Sequence, residues 1–123
     1  MAKILIVDDE KDICEIVGDY VKEISQGAEI FQKHDGLDGF MECTQTDFDL
    51  IITDMKMPFL NGKDMILAIR TKSSKNNSTP IIMLSGFLNK ETIAKLEGNG
   101  IFCLNKPIDH PELQKLIQSC LNS

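Results

Sequence analysis

Short apolar runs alternate with stretches of helical spacing along the whole chain. Ile4-Leu5-Ile6-Val7, Phe48 to Thr53, Ile81 to Leu84 and Ile101-Phe102-Cys103-Leu104 are continuous enough to be strands buried on both faces, the pattern of a parallel sheet. Glu29-Ile30-Phe31-Gln32 is short and mixed, which predicts a strand nearer an edge. After Asp9, the positions Ile13, Ile16/Val17, Tyr20/Val21 and Ile24 predict a first helix, ended by Gly27. Leu37, Phe40, Met41 and Thr44 mark a second. Asn61 can cap a third that turns Met65, Ile66 and Ile69 inward. The polar stretch Thr71 to Thr79 predicts a loop leading to Pro80. Asn89 to Glu97 is the weakest helix, with only Ile93, Ala94 and Leu96 apolar, and Gly98-Asn99-Gly100 closes it. Asp109 caps a last helix carrying Leu113, Leu116, Ile117, Cys120 and Leu121. Five strands and five helices in strict alternation predict an α/β fold of βα units.

Length and charge narrow the picture. A chain of 123 residues can bury one core and not two, so one domain, 1–123, is expected. Asn122-Ser123 leaves no room for an output domain, which predicts a stand-alone unit. No apolar stretch reaches the length of a membrane span, and Met1-Ala2-Lys3 runs into strand-like sequence without signal-peptide regions, so a cytoplasmic protein with no membrane partner is expected. The net charge of −6 argues against nucleic acid, which needs a basic face. Cys14, Cys43, Cys103 and Cys120 have no metal or redox spacing and read as small buried hydrophobes. His34 and His110 read as solvated side chains without a role.

Chemistry enters where three strands end in charge: Val7-Asp8-Asp9, Thr53-Asp54 and Asn105-Lys106-Pro107. Open α/β sheets bind ligands beyond the carboxyl ends of their strands. If these ends are neighbours, the carboxylates of Asp8, Asp9 and Asp54 and the Lys106 ammonium share one pocket. Carboxylates packed that closely need a cation or a raised pKa. Their oxygens suit Mg²⁺, which keeps several waters beside one or two carboxylates. Acids before a helix also serve capping and dipole needs, and Glu10 is assigned to the first helical turn on that ground. Asp54 is followed by Pro58 and Asn61-Gly62, which fix a loop whose free N–H groups can sit beside a carboxylate and a bound oxyanion.

The stretch Asp54-Met55-Lys56-Met57-Pro58-Phe59-Leu60-Asn61-Gly62 resembles the D-x-x-M-P-x-x-[DN]-G signature of response-regulator receiver domains, the CheY-like superfamily. Val7-Asp8-Asp9, Leu84-Ser85-Gly86 and Lys106-Pro107 match the family's other motifs in order, so the resemblance covers essentially the whole chain. It implies the flavodoxin-like doubly wound sheet with strand order 2-1-3-4-5 and helices on both faces. It implies a two-component or phosphorelay phosphoacceptor that is not an enzyme in the usual sense. Asp54 would take a phosphoryl group from a histidine kinase or a histidine phosphotransfer protein. Asp9 would ligate Mg²⁺ directly, Asp8 mostly through water, and Lys56 through its carbonyl. Lys106 would neutralise the phosphoryl group, the Ser85 hydroxyl would donate to it, and Gly86 would let a backbone N–H approach it. The Lys106-Pro107 bond would be cis. Output would pass to a downstream protein through the last two βα units, with Asn89 to Glu97 as the mobile segment.

The family's usual inward-turning aromatic, three residues before the lysine, is Cys103 here. Phe102 cannot substitute, because strand side chains alternate faces, and it is expected to face a flanking helix layer. Phe87 and Lys56 are expected to border the pocket and to govern access of hydrolytic water. Two other readings remain open at this point. A phosphorylation-independent scaffold is opposed by the intact acid set. A Mg²⁺-dependent phosphohydrolase with an aspartate nucleophile would want a second acid where Lys56 stands. Dinucleotide binding fails for want of a glycine-rich turn after Val7.

Overall fold

The computed structural model describes residues 1–72, 75–86 and 88–122. The elements are β1 (Lys3–Val7), α1 (Lys11–Ile24), β2 (Glu29–Lys33), α2 (Gly36–Cys43), β3 (Leu50–Asp54), α3 (Gly62–Lys72), β4 (Ile81–Ser85), α4 (Lys90–Leu96), β5 (Ile101–Asn105) and α5 (His110–Leu121). All strand pairs are parallel and the order is β2-β1-β3-β4-β5, the flavodoxin-like arrangement that the family resemblance implies. Among the described residues no helix is long and apolar enough to cross a membrane.

The period of two along each strand divides the core into two layers. Ile4, Ile6, Leu50, Ile52, Ile82 and Leu84 meet Val17 and Val21 of α1 and Leu113 and Ile117 of α5. Leu5, Val7, Ile51, Ile81 and Met83 meet Cys43 of α2, Met65, Ile66 and Ile69 of α3 and Leu96 of α4. Side chains on β1, β3 and β4 are therefore covered on both sides, which is why these strands read as unbroken apolar runs.

Several expectations are corrected by packing. In α2 the buried residues are Gly36, Gly39 and Cys43, while Leu37 and Met41 are half exposed. A Cβ on Gly39 would press on Val7 and Met65, and one on Gly36 would overlap the backbone of Leu60. The helix thus meets the sheet on its glycine side, with Phe40 packed partly buried against the core while Leu37 and Met41 turn outward. Ile16 is likewise exposed on α1. Phe48 precedes β3 instead of starting it, because its N–H is given to Asn76 Oδ1 at 2.9 Å. The third helix continues to Lys72, past the expected start of the loop. Cys103 is only half buried, because β5 is an edge strand. Phe102 is exposed instead of being covered by a helix layer. Phe87 lies outside the described residues.

At the amino end of the sheet a polar staple ties α3, the segment before β4 and the end of α2 together. Asn76 is fully buried, and its amide N–H groups donate to Cys43 O at 2.7 Å and Thr46 O at 2.8 Å. Its Oδ1 accepts from Phe48 N and from Thr79 Oγ1 at 2.9 Å. Beside it, Arg70 donates to the carbonyls of Asn76, Thr79 and Asn99.

Candidate functional site

At the carboxyl end of the sheet, β1, β3, β4 and β5 deliver their terminal polar residues to one rim. Asp9, Glu10, Asp54, Lys56, Ser85, Gly86 and Lys106 line a pocket of about 300 Å³ there. Asp8 lies beneath it, 2 % exposed. Lys106 Nζ reaches across β4 to lie 3.2 Å from Asp54 Oδ1 and 3.4 Å from Asp8 Oδ2. The sequence-predicted set is thus gathered by strand order: β1 and β3 are direct neighbours, and the long lysine side chain spans the remaining strand.

Each group is held locally. Asp54 Oδ1 also accepts from Met55 N–H at 2.8 Å. The Thr53 hydroxyl donates to the Asp54 carbonyl at 2.9 Å. Gly62 N–H donates to Met55 O at 2.7 Å and closes the loop, and a Cβ on Gly62 would overlap Asp54 O, so this loop requires a glycine at its end. Ser85 is buried, and its carbonyl accepts from Lys106 N–H at 2.8 Å, which fixes the ends of β4 and β5 together. The Lys106-Pro107 peptide is cis, as the resemblance implies. At Gly86 a Cβ would meet nothing within 4 Å, so packing makes no demand for glycine there.

The electrostatics are those of crowded acids. Burial, reinforced by the charge of Asp54, raises the Asp8 pKa to about 6, although the Glu10 N–H and Lys106 both pull against the rise. Burial disfavours the charge on Lys106, but Asp54 and Asp8 together outweigh it and hold the ammonium above its ordinary pKa. Carboxylate oxygens of Asp8, Asp9 and Glu10 lie within 4.8 Å of one another. Such a set of hard oxygen donors, with one buried carboxylate reluctant to ionise, fits a divalent cation such as Mg²⁺.

Two residues of this region were missed at the level of sequence. Glu10 is the N-cap residue of α1, yet its carboxylate joins the acid group instead of capping the helix; an acid there looks the same as an ordinary first-turn acid. His34, expected to be solvated, places Nδ1 3.0 Å from Asp8 O. His110 is also partnered, stacking on Tyr20 with ring centroids 3.9 Å apart and meeting Glu23 Oε2 at 3.2 Å. No spacing rule connects either histidine to its partner.

The comparisons with known proteins agree with this geometry. Residues 4–118 match the family described as Response regulator receiver domain, and the chain belongs to that family. It is a receiver domain of two-component signalling, a signalling domain whose kind partners a kinase. Among solved structures it is similar to the chemotaxis response regulator CheY4 of Vibrio cholerae, with a TM-score of 0.84, 31% identity, and 98% of this chain and 99% of that chain covered. The receiver domain of the sensor histidine kinase PA1611 of Pseudomonas aeruginosa shares the fold, with a TM-score of 0.82, 22% identity, and 99% and 98% coverage; it was crystallised with a magnesium ion in its active-site cleft. The response regulator ArlR of Staphylococcus saprophyticus is 29% identical over 122 residues, covering 98% of this chain and 53% of ArlR. The transcriptional regulatory protein PcoR of Escherichia coli is 30% identical over 122 residues, covering 98% of this chain and 52% of PcoR. The chain spans about half the length of these curated relatives.

Proposed function

We propose that residues 1–123 form a phosphorylation-dependent switch in which Asp54 is the phosphoacceptor. The observation that carries this reading is the Lys106 ammonium shared between Asp54 Oδ1 and Asp8 Oδ2. It ties the strand-end carboxylate to the acid pair. The Asp54 carboxylate attacks the phosphorus of a phosphohistidine on a histidine kinase or histidine phosphotransfer protein. The P–N bond breaks, the imidazole leaves with the electron pair, and an acyl phosphate forms on Asp54. Such transfer needs alignment and charge neutralisation more than covalent help. Asp8, Asp9, Asp54 and the Lys56 carbonyl are the residues that would hold Mg²⁺, which supplies neutralisation of the phosphoryl oxygens when bound. Lys106 neutralises from the other side, the Ser85 hydroxyl donates to the transferred group, and the Gly86 N–H adds a further donor.

The added charge biases the packing of α4, β5 and α5, and a downstream protein reads the change there. In this region only Leu96 of α4 is buried, and the half-buried Cys103 stands where the family usually carries an aromatic. A sparsely anchored helix is a suitable two-state element.

Incubation with Mg²⁺ and acetyl phosphate, followed by intact mass, tests the assignment. The wild type is expected to gain one phosphoryl group, and Asp54→Asn none. Modification surviving in Asp54→Asn, or a wild type that never gains mass, overturns it.

A further inference from the structure

The acid pair is gripped from behind, on the side away from the pocket. Asp8 N–H donates to Lys33 O at 3.1 Å, extending the β1–β2 pairing one residue past the strand. The Asp8 carbonyl accepts from two side chains: His34 Nδ1 at 3.0 Å and Cys14 Sγ at 3.5 Å. A carbonyl only accepts, so Nδ1 is the protonated ring nitrogen in this contact. His34 comes from the end of β2 and Cys14 from the first turn of α1, so one peptide oxygen links three elements.

The peptide unit that follows Asp8 is planar. Fixing the direction of its carbonyl therefore fixes the Asp9 N–H and the path by which Asp9 leaves the strand. That path matters because the next residues must gather three mutually repelling carboxylates, those of Asp8, Asp9 and Glu10, within 4.8 Å. A turn free to rotate would relieve the repulsion by spreading them. Cys14 alone is a weak anchor, since S–H is a poor donor and its contact is the longer one. The imidazole N–H is the stronger of the two.

We infer that His34 is a positioning residue for the acid pair: its Nδ1–H holds the Asp8–Asp9 peptide in the orientation that presents both carboxylates together to a divalent cation. The inference rests on the reading of the pocket as a Mg²⁺-dependent phosphoacceptor site. His34 is not among the residues lining the pocket, and acts through the main chain. Outer partners that orient ligands matter to affinity by about 10–100-fold when removed from metal sites, and the lower end is the relevant scale for a main-chain contact.

The test is calorimetric titration with Mg²⁺ alone, on the full chain, for wild type, His34→Leu, His34→Asn and Asp9→Asn, with the unfolding midpoint of each metal-free protein measured alongside. His34→Leu is expected to bind Mg²⁺ about tenfold more weakly. His34→Asn, whose side-chain N–H stands near the place of Nδ1, is expected to recover most of that loss. A purely structural role would instead lower the unfolding midpoint of the metal-free protein and leave the affinity of the folded fraction unchanged. Wild-type affinity in His34→Leu, or an Asn variant as weak as the Leu variant, overturns the inference while wild-type binding and its loss in Asp9→Asn leave the phosphoacceptor reading standing. No Mg²⁺ binding by the wild type overturns both. If His34→Leu does not fold, His34→Ala replaces it with the same expectations.

Discussion

Both ends of the sheet bury polar side chains, and they treat them in opposite ways. At the amino end, Asn76 is buried with both amide hydrogens and its oxygen bonded, and Arg70 binds three carbonyls. Among the buried side-chain nitrogens and oxygens of the described residues, only Arg70 Nε lacks a hydrogen-bond partner. At the carboxyl end, a buried Asp8 ionises reluctantly, and one ammonium is divided between it and Asp54. Matched donors and acceptors stabilise a fold, whereas unmatched like charges cost stability unless something binds them. The amino end is therefore where the polar groups hold the structure, and the carboxyl end is where the fold crowds carboxylates that only one ammonium offsets.

Asn76→Ala is the strongest way to break this contrast. It strands the Phe48 N–H and the carbonyls of Cys43 and Thr46 in the interior, at a cost of about 3–5 kcal/mol. Urea unfolding would show it, and a loss below about 1 kcal/mol would mean that the staple is redundant. The carboxyl end should respond in the opposite direction. Asp8 keeps its proton up to about pH 6 in the folded protein, against an ordinary value of 3.8. A raised acid pKa favours the fold while the group stays protonated, so this contribution is complete below about pH 4 and is lost as pH rises through about 6. Asp8→Asn removes that loss and is expected to stabilise the metal-free protein near pH 7.5 by about 1–3 kcal/mol, while abolishing stabilisation by Mg²⁺. Thermal unfolding of both proteins from pH 4 to 8, with and without Mg²⁺, measures it. A variant less stable than wild type at neutral pH without metal would show that Lys106 already compensates Asp8 fully.

The same contrast explains what the sequence disclosed. Strands covered on both faces announce themselves as Ile4-Leu5-Ile6-Val7 or Leu50-Ile51-Ile52, and a charge after such a run marks the rim, so Asp8, Asp9, Asp54 and Lys106 were legible together. Ser85 and Gly86 became legible only through resemblance, since a serine and a glycine after a strand suit any turn. The inner face of α2 was not legible, because Gly36 and Gly39 carry no hydrophobic signal and act by letting Leu60, Val7 and Met65 come close. The staple was invisible for a related reason: Asn76 bonds mostly to main chain, and Arg70 entirely so, and a backbone carbonyl has no letter. His34 belongs to this class too, with Asp8 O as its partner. Periodicity reports which side chains avoid water; it is silent on side chains that recognise peptide groups.

Phe59 offers the finest test, because it puts a backbone cost at the carboxyl end where no charge is involved. Its φ is 68°, in the left-handed region that strains an aromatic residue, and Leu60 N–H closes back on Pro58 O at 2.8 Å around it. The side chain is 84% exposed, so burial does not compensate for the strain. This three-residue closure is the rare and strained form of the γ-turn, which glycine adopts without a Cβ to clash. Phe59→Gly is accordingly expected to stabilise the protein by up to about 1 kcal/mol in urea unfolding, leaving the rate of phosphorylation by acetyl phosphate unchanged. Retained chemistry with higher stability would show that this strain serves nothing the small donor needs, which separates the loop tip from the charged rim beside it. A slower reaction would instead tie the backbone at Phe59 to the placement of Asp54, and the carboxyl end would then act as one unit from Asp8 to the loop.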